Sequence, residues 1–224
     1  MPHLARCRAK FFCFPPILCL FALCAPLCAE VIDRMAISVG NQVITESQID
    51  EEVRVTAFLN NEKVDLSADQ KKKAADRLIE QALIKREMDL SRYPLPALSD
   101  ADSALNEVKS HYPSQAAFAQ ALEDHGITEA QLKEHLWWQL TVLRFVDYRF
   151  RPGIQISDSE VQAYYQQQVS KWEQQGVKPI PSLSDQRAEI EEILTEQQID
   201  QNLDQWLAEA RKQVPIRYLD EALR

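Results

Sequence analysis

Glycine is nearly missing from this sequence. Four occur in 224 residues, at positions 40, 126, 153 and 176. A phosphate-cradling loop or a dinucleotide-binding turn needs several glycines close together, so both are excluded. A G-x-S-x-G nucleophile elbow is absent as well. Cysteine is confined to one end: all five, at positions 7, 13, 19, 24 and 28, fall in the first 28 residues. The rest of the chain has no thiol nucleophile, no disulfide framework and no cysteine metal site. Histidine is scarce too. His111, His125 and His135 lie in separate stretches without the close, regular spacing of a metal pair. Acidic pairs such as Glu51-Glu52 and Glu191-Glu192 sit in helical patterns, where a solvated face is the simpler explanation than acid–base catalysis. The expectation is a chain with no catalytic residue, no metal and no cofactor.

The cysteine-rich start reads as a targeting segment. Arg6, Arg8 and Lys10 precede an apolar run from Phe11 to Leu27, and no acidic residue appears before Glu30. That is the layout of a secretory signal peptide, residues 1–29, cut after Ala29. The run is interrupted by prolines 15, 16 and 26 and falls short of the roughly 20 residues of a bilayer span. A lipoprotein signal fits neither Cys24 nor Cys28, because the small residues and the leucine are misplaced ahead of each. Removing the leader takes away three positive charges, so the whole-chain charge of −9 becomes −9 − 3 = −12. Such an acidic surface repels phosphate backbones and anionic headgroups. Nucleic-acid binding and stable membrane insertion after signal removal are therefore not expected. The implied route is export across the inner membrane.

What is abundant points to helix. Ala, Leu, Glu, Gln and Lys dominate, and breaks fall at the glycines and prolines. The stretch from Val31 to Thr45 differs, being rich in β-branched residues around Gly40-Asn41, and predicts a β-hairpin. Helix starts are then read at Thr45 or Ser47, Ser67, Ser99, Ser114, Thr128 and Ser157, several as capping boxes. A proline-containing connector covers 176–184. A last helix runs from about Asp185 to Gln213, and Val214 to Leu219 return to strand character. Pro215 cannot donate to a ladder, which predicts an edge position for that strand. Each β segment lacks a partner, so the terminal strand is expected to pair with the hairpin.

The helix from Thr128 is apolar on more than one face. Leu132, Leu136, Leu140 and Leu143 form one stripe; Trp138, Val142, Phe145 and Val146 form another. Trp137 lies about 100° round from Trp138. A helix of this kind is either enclosed by others or partly open as a binding face.

VIDRMAISVGNQVITESQID (31–50), through Val31, Asp33, Val39, Val43, Ile44, Thr45, Glu46 and Ser47, is similar to the opening of the SurA-type chaperones, a resemblance that implies the periplasm as the compartment. RLIEQALIKREMDL (77–90), AFAQALEDHGIT (117–128), ISDSEVQAYY (156–165) and the closing 187–219 agree with it. In that family the 156–165 motif leads into a parvulin-type prolyl isomerase domain. Here only the connector follows, and a folded domain needs more than about 50 residues. The resemblance implies a mainly α, multi-helix peptide-binding module of the SurA/trigger-factor type, with a small sheet made by the N-terminal hairpin and a C-terminal strand. It implies a helical module over 30–175, completed by the helix and strand of 185–224. It also implies an ATP-independent holdase for unfolded outer-membrane or secreted polypeptides, without isomerase activity. Candidate groove residues are Trp137, Trp138, Phe145, Tyr148, Tyr164, Tyr165 and Trp172, whose rings combine apolar bodies with, in most cases, a polar tip. Rival functions are a divergent prolyl isomerase and a docking factor for one periplasmic partner.

Overall fold

The structure, a computed structural model, describes residues 33–91, 93 and 95–223. The leader expected at 1–29 lies outside the described residues. Among them are seven α-helices and one three-stranded antiparallel sheet, so the chain is mainly α with a small sheet.

Strands β1 (Met35–Val39) and β2 (Gln42–Thr45) form the expected hairpin. Gly40 opens its two-residue turn with φ of +60°. Glycine is suited to that conformation, which penalises a Cβ. The register shifts between Met35 and Ile37, and this irregularity lets both Ala36 and Ile37 bury completely. Strand β3 (Ile216–Tyr218) pairs antiparallel with β1, giving the order β2-β1-β3. Pro215 sits just ahead of this edge strand, and its carbonyl accepts the Gly40 N–H at 2.9 Å. The predicted pairing of hairpin and terminal strand is therefore present.

Helix α1 (Glu46–Leu59) starts at Thr45, which forms a capping box with Gln48. The Ser47 hydroxyl, the other candidate, donates instead to the Asp33 carboxylate. Helix α2 spans Ala68–Ser91. Helix α3 (Leu98–Ser110) starts ahead of the expected Ser99: the Asp100 N–H already closes on the Ala97 carbonyl, and Ala97 caps with no side-chain bond. Helix α4 (Gln115–His125) is capped by Ser114 and closed by Gly126, whose φ is +64°. Helix α5 (Glu129–Phe150) has the predicted Thr128–Gln131 capping box and runs into a 3-10 turn at Arg151–Gly153. Helix α6 (Asp158–Gln175) has the Ser157–Glu160 box. Helix α7 (Leu183–Gln213) begins slightly before the expected Asp185, because Ser182 is its cap and accepts the Asp185 N–H.

Two apolar cores form. One joins the inner face of the sheet to α2, to Phe145 of α5, and to Leu207, Val214 and Leu223 near the chain end. The other gathers Phe58, Leu105, Phe118, Leu122, Leu132 and Leu136 from α1, α3, α4 and α5. Helix α5, at 22 residues about 33 Å long, supplies side chains to both. The end of α7 is tied to α2 by Arg211, which reaches Glu80 at 3.0 Å and Asp76 at 3.5 Å. Helix α6 leans on the first part of α7. Val161 is its one buried residue, and Arg187 of α7 meets Asp158 at 2.8 Å.

Candidate functional site

A cleft of about 730 Å³ opens between β2, α1, α2 and α5. Its walls are helix faces that can be read by spacing. Gln48, Glu51, Glu52 and Val55 recur at three and four residues along α1. Leu78, Gln81, Ala82, Lys85, Met88 and Asp89 do the same on α2. Helix α5 adds Glu134, His135, Trp137 and Trp138, and β2 adds Val43 and Ile44. Apolar side chains line the interior, and carboxylates and amides stand among them.

The two adjacent indoles are both half-buried cleft residues. Their ring centroids are 6.5 Å apart with a 48° tilt. Trp137 donates its Nε1–H to the Pro96 carbonyl at 3.3 Å, which pins that ring against the segment before α3. Below it, the buried Thr141 hydroxyl donates to the Trp137 carbonyl at 2.8 Å. Trp138 also packs on the first core, and its Nε1–H is buried without a hydrogen-bond partner among the described residues. Such a donor left unpaired costs about 1–3 kcal/mol.

One charged cluster borders the apolar surface. Glu52 is only 5% exposed, yet Arg77 Nε donates to it at 2.7 Å and His135 Nδ1 lies 3.3 Å from its other oxygen. Thr56 bridges, receiving from Arg77 at 3.2 Å and donating to Glu52 at 3.4 Å. Burial alone would raise the Glu52 pKa. Hydrogen bonds and charge from His135 and Arg77 outweigh burial and hold the carboxyl below the usual glutamate value. It is one member of an ion pair anchored in the wall. Among the described residues no group of three His, Cys, Asp or Glu side chains is placed to hold a metal ion. None of their helices is long and apolar enough to cross a membrane.

Of the seven aromatic candidates, the structure brings Trp137 and Trp138 together at the cleft. Phe145 is instead core, 1% exposed, ringed by Tyr93, Phe150 and Trp206 at 5.2, 6.1 and 5.6 Å. Tyr148 is exposed and meets Tyr93 edge-on at 5.3 Å, outside the cleft lining. Tyr164, Tyr165 and Trp172 lie on α6, away from this lining. Tyr165 donates to the Pro181 carbonyl at 2.8 Å and meets Trp172 at 6.2 Å, so these two rings brace the connector between α6 and α7. The sequence reading missed Val43, Leu78, Met88 and the Glu52–Arg77–His135 cluster. Leu78, Ala82 and Met88 could have been found, since they mark one face of α2.

No known family model matches this chain, and no curated protein matches it.

Proposed function

We propose that the chain is an ATP-independent periplasmic holdase of the SurA type, which shields apolar segments of unfolded secreted or outer-membrane polypeptides. The observation that carries this reading is the cleft itself: two adjacent half-buried indoles beside Met88 and Leu78, bordered by carboxylates. Apolar contact with varied side chains is non-directional, and about 25 cal/mol is gained per Å² covered. A cleft of this volume covers a few side chains at a time. Binding is then reversible without nucleotide, and the acidic border keeps the occupied protein soluble.

The connector supports a holdase without a parvulin insertion. Residues 176–182 join α6 to α7, and a folded domain needs more than about 50 residues. Catalysis of proline isomerisation is accordingly not part of the proposed activity.

The test is suppression of light scattering when an unfolded outer-membrane protein is diluted from urea into buffer with the purified chain. Suppression at near-stoichiometric ratios supports the reading. Unchanged scattering at a tenfold excess, by a chain shown to be folded, rules it out. A pull-down that returns one stoichiometric partner and no unfolded clients would favour a docking factor instead.

A further inference from the structure

The sheet has two edges, and the β2 edge borders the cleft. Gly40 N–H bonds the Pro215 carbonyl, and Leu219 N–H bonds the Ala36 carbonyl. Even-numbered residues of β1 thus turn their backbone groups toward β3, while Ile37 and Val39 turn theirs onto Ile44 and Gln42 of β2. Val43 lies between those two residues, so the ladder leaves its N–H and C=O unpaired at the open edge. Its side chain is exposed on the outer face of the sheet, the face it shares with Ser38 and Arg217 through the strand register. Ile37, Val39 and Ile44 are buried on the opposite face, toward the helices.

Apolar surface and carboxylates lie together on that helix-covered face. Glu134 stands one helical turn before Trp138 on α5, and Glu51 one turn before Val55 on α1, about 5–6 Å apart in each pair. Asp89 directly follows Met88 on α2. Glu134 and Asp89 are exposed, and neither has an ion-pair partner among the described residues. Glu51 is held by the Gln131 amide at 2.8 Å, and Glu52 is answered by Arg77. Against these carboxylates Lys85 is the single Lys or Arg of the lining. Val43, Ser38 and Arg217 offer no carboxylate on the outer face.

We infer that the cleft takes an extended segment that carries apolar side chains and Lys or Arg on one and the same face, added along the free edge of β2. This rests on the holdase reading and names the substrate class of the same site. Val43 supplies one donor and one acceptor to the segment backbone, the pairing used in strand addition. The residue opposite Val43 then points outward with it, and the residues before and after point to the helices. Those two are about 6.8 Å apart, close to the spacing of Trp138 and Glu134. An apolar side chain at one of them covers Trp138 and Met88. A Lys or Arg at the other lays its aliphatic stem on the same floor while its charge reaches the carboxylates. Indole faces add their own attraction for the cation. The intervening residues face outward, where no carboxylate selects them.

The test uses the full chain and labelled ten-residue peptides in fluorescence anisotropy at low salt. The first peptide places Leu and Lys in turn at every second position, with Ser between. The second has Glu in place of Lys. The third keeps the composition of the first but moves both Lys residues to the intervening positions. A fourth sets the same residues at helical spacing. The first should bind about tenfold more tightly than the second, as expected for a few exposed charge pairs, and more tightly than the third. Glu134→Gln combined with Asp89→Asn, two exposed changes that leave the cores untouched, should weaken the first about three- to fivefold. Added salt should weaken it as well. Val43→Pro removes the free N–H at an edge position that tolerates proline, and should weaken it about fivefold with the fold retained by circular dichroism. Equal or tighter binding of the second peptide overturns the charge preference, and equal or tighter binding of the third overturns the shared face. Tighter binding of the fourth replaces the extended occupant by a helix. Unchanged binding by a folded Val43→Pro chain removes the β2 edge. A concentration-dependent dimer abolished by Val43→Lys replaces the segment by a second copy of this chain. If aggregation is suppressed but the first peptide binds no better than the others, this inference alone fails. If no peptide binds and aggregation is unaffected, the holdase reading fails with it.

Discussion

Arg77 Nε on α2 stands 2.7 Å from Glu52 Oε1 on α1, beside a carboxylate that is almost entirely shielded from water. The contact joins two walls of the cleft, and His135 extends it to the third, α5. Glu52→Ala should cost about 1–3 kcal/mol, because it leaves charged donors without their acceptor. Thermal or urea unfolding of the variant reads this directly.

The same carboxylate sets a pH dependence. Its pKa is lowered in the folded chain by His135 and Arg77 against the opposing effect of burial. The unfolded chain therefore binds the proton first as pH falls. The stabilisation is complete above the ordinary glutamate value of about 4.3 and is lost as pH falls through the lower folded value. Glu52→Gln should flatten the loss of stability in this acid range relative to wild type, measured by urea midpoints at a series of pH values. Parallel slopes for the two proteins would remove Glu52 from the account.

Gly126 closes α4 with φ of +64°, and a Cβ there would meet Arg54 Nη1 at 2.6 Å. That guanidinium donates to the His125 carbonyl at 3.2 Å. The His125 ring in turn meets the Ala121 and Glu62 carbonyls at 2.7 and 3.0 Å. Gly126→Ala should cost about 1–2 kcal/mol from backbone strain alone, with more if the Arg54 bond is lost. Denaturant unfolding checks it, with unchanged helical circular dichroism in water.

Phe145 and Tyr148 separate core from surface on one helix. Phe145→Ala should cost about 3–5 kcal/mol, since it empties the space between Tyr93, Phe150 and Trp206. Tyr148→Ala, at an exposed site, should change stability by under about 1 kcal/mol. Comparable losses for the two would mean that α5 is turned differently.

Ending the chain at Gln213 removes β3 together with the buried Val214 and Leu223. Each of those side chains is worth about 1.5–3 kcal/mol. The truncated chain should melt well below the full one. A chain ending at Ser182 loses α7 altogether, and with it Leu207 and the Arg211 pairs, and should not fold cooperatively.

Most local signals are legible where side chain and backbone are neighbours; at Ser67, expected to form a capping box, the hydroxyl instead donates to Asp65 at 3.0 Å. Thr45, Ser114, Thr128 and Ser157 all cap the helices assigned to them, and the hairpin turn falls at Gly40. Pairing of the terminal strand was legible too, because two orphan β segments in a helical chain need each other. The starts of α3 and α7 were harder, since several Ser, Asp and Ala residues in a row offer competing first turns. The cleft was half legible. Trp138 and Phe145 are seven residues apart and so share a face of α5 within about 20°. Periodicity cannot tell that one borders an opening while the other lies under Trp206. Glu52, Arg77 and His135 come from three helices, and no local pattern joins them.

The central claim is that the paired indoles of the cleft hold the client. Its most direct measurement is aggregation suppression by the Trp137→Ala/Trp138→Ala double variant beside Tyr148→Ala/Tyr164→Ala, each confirmed folded by circular dichroism. The account predicts that the first loses most of its protection and the second keeps it. Full protection by the indole variant, or equal loss in both, would contradict it.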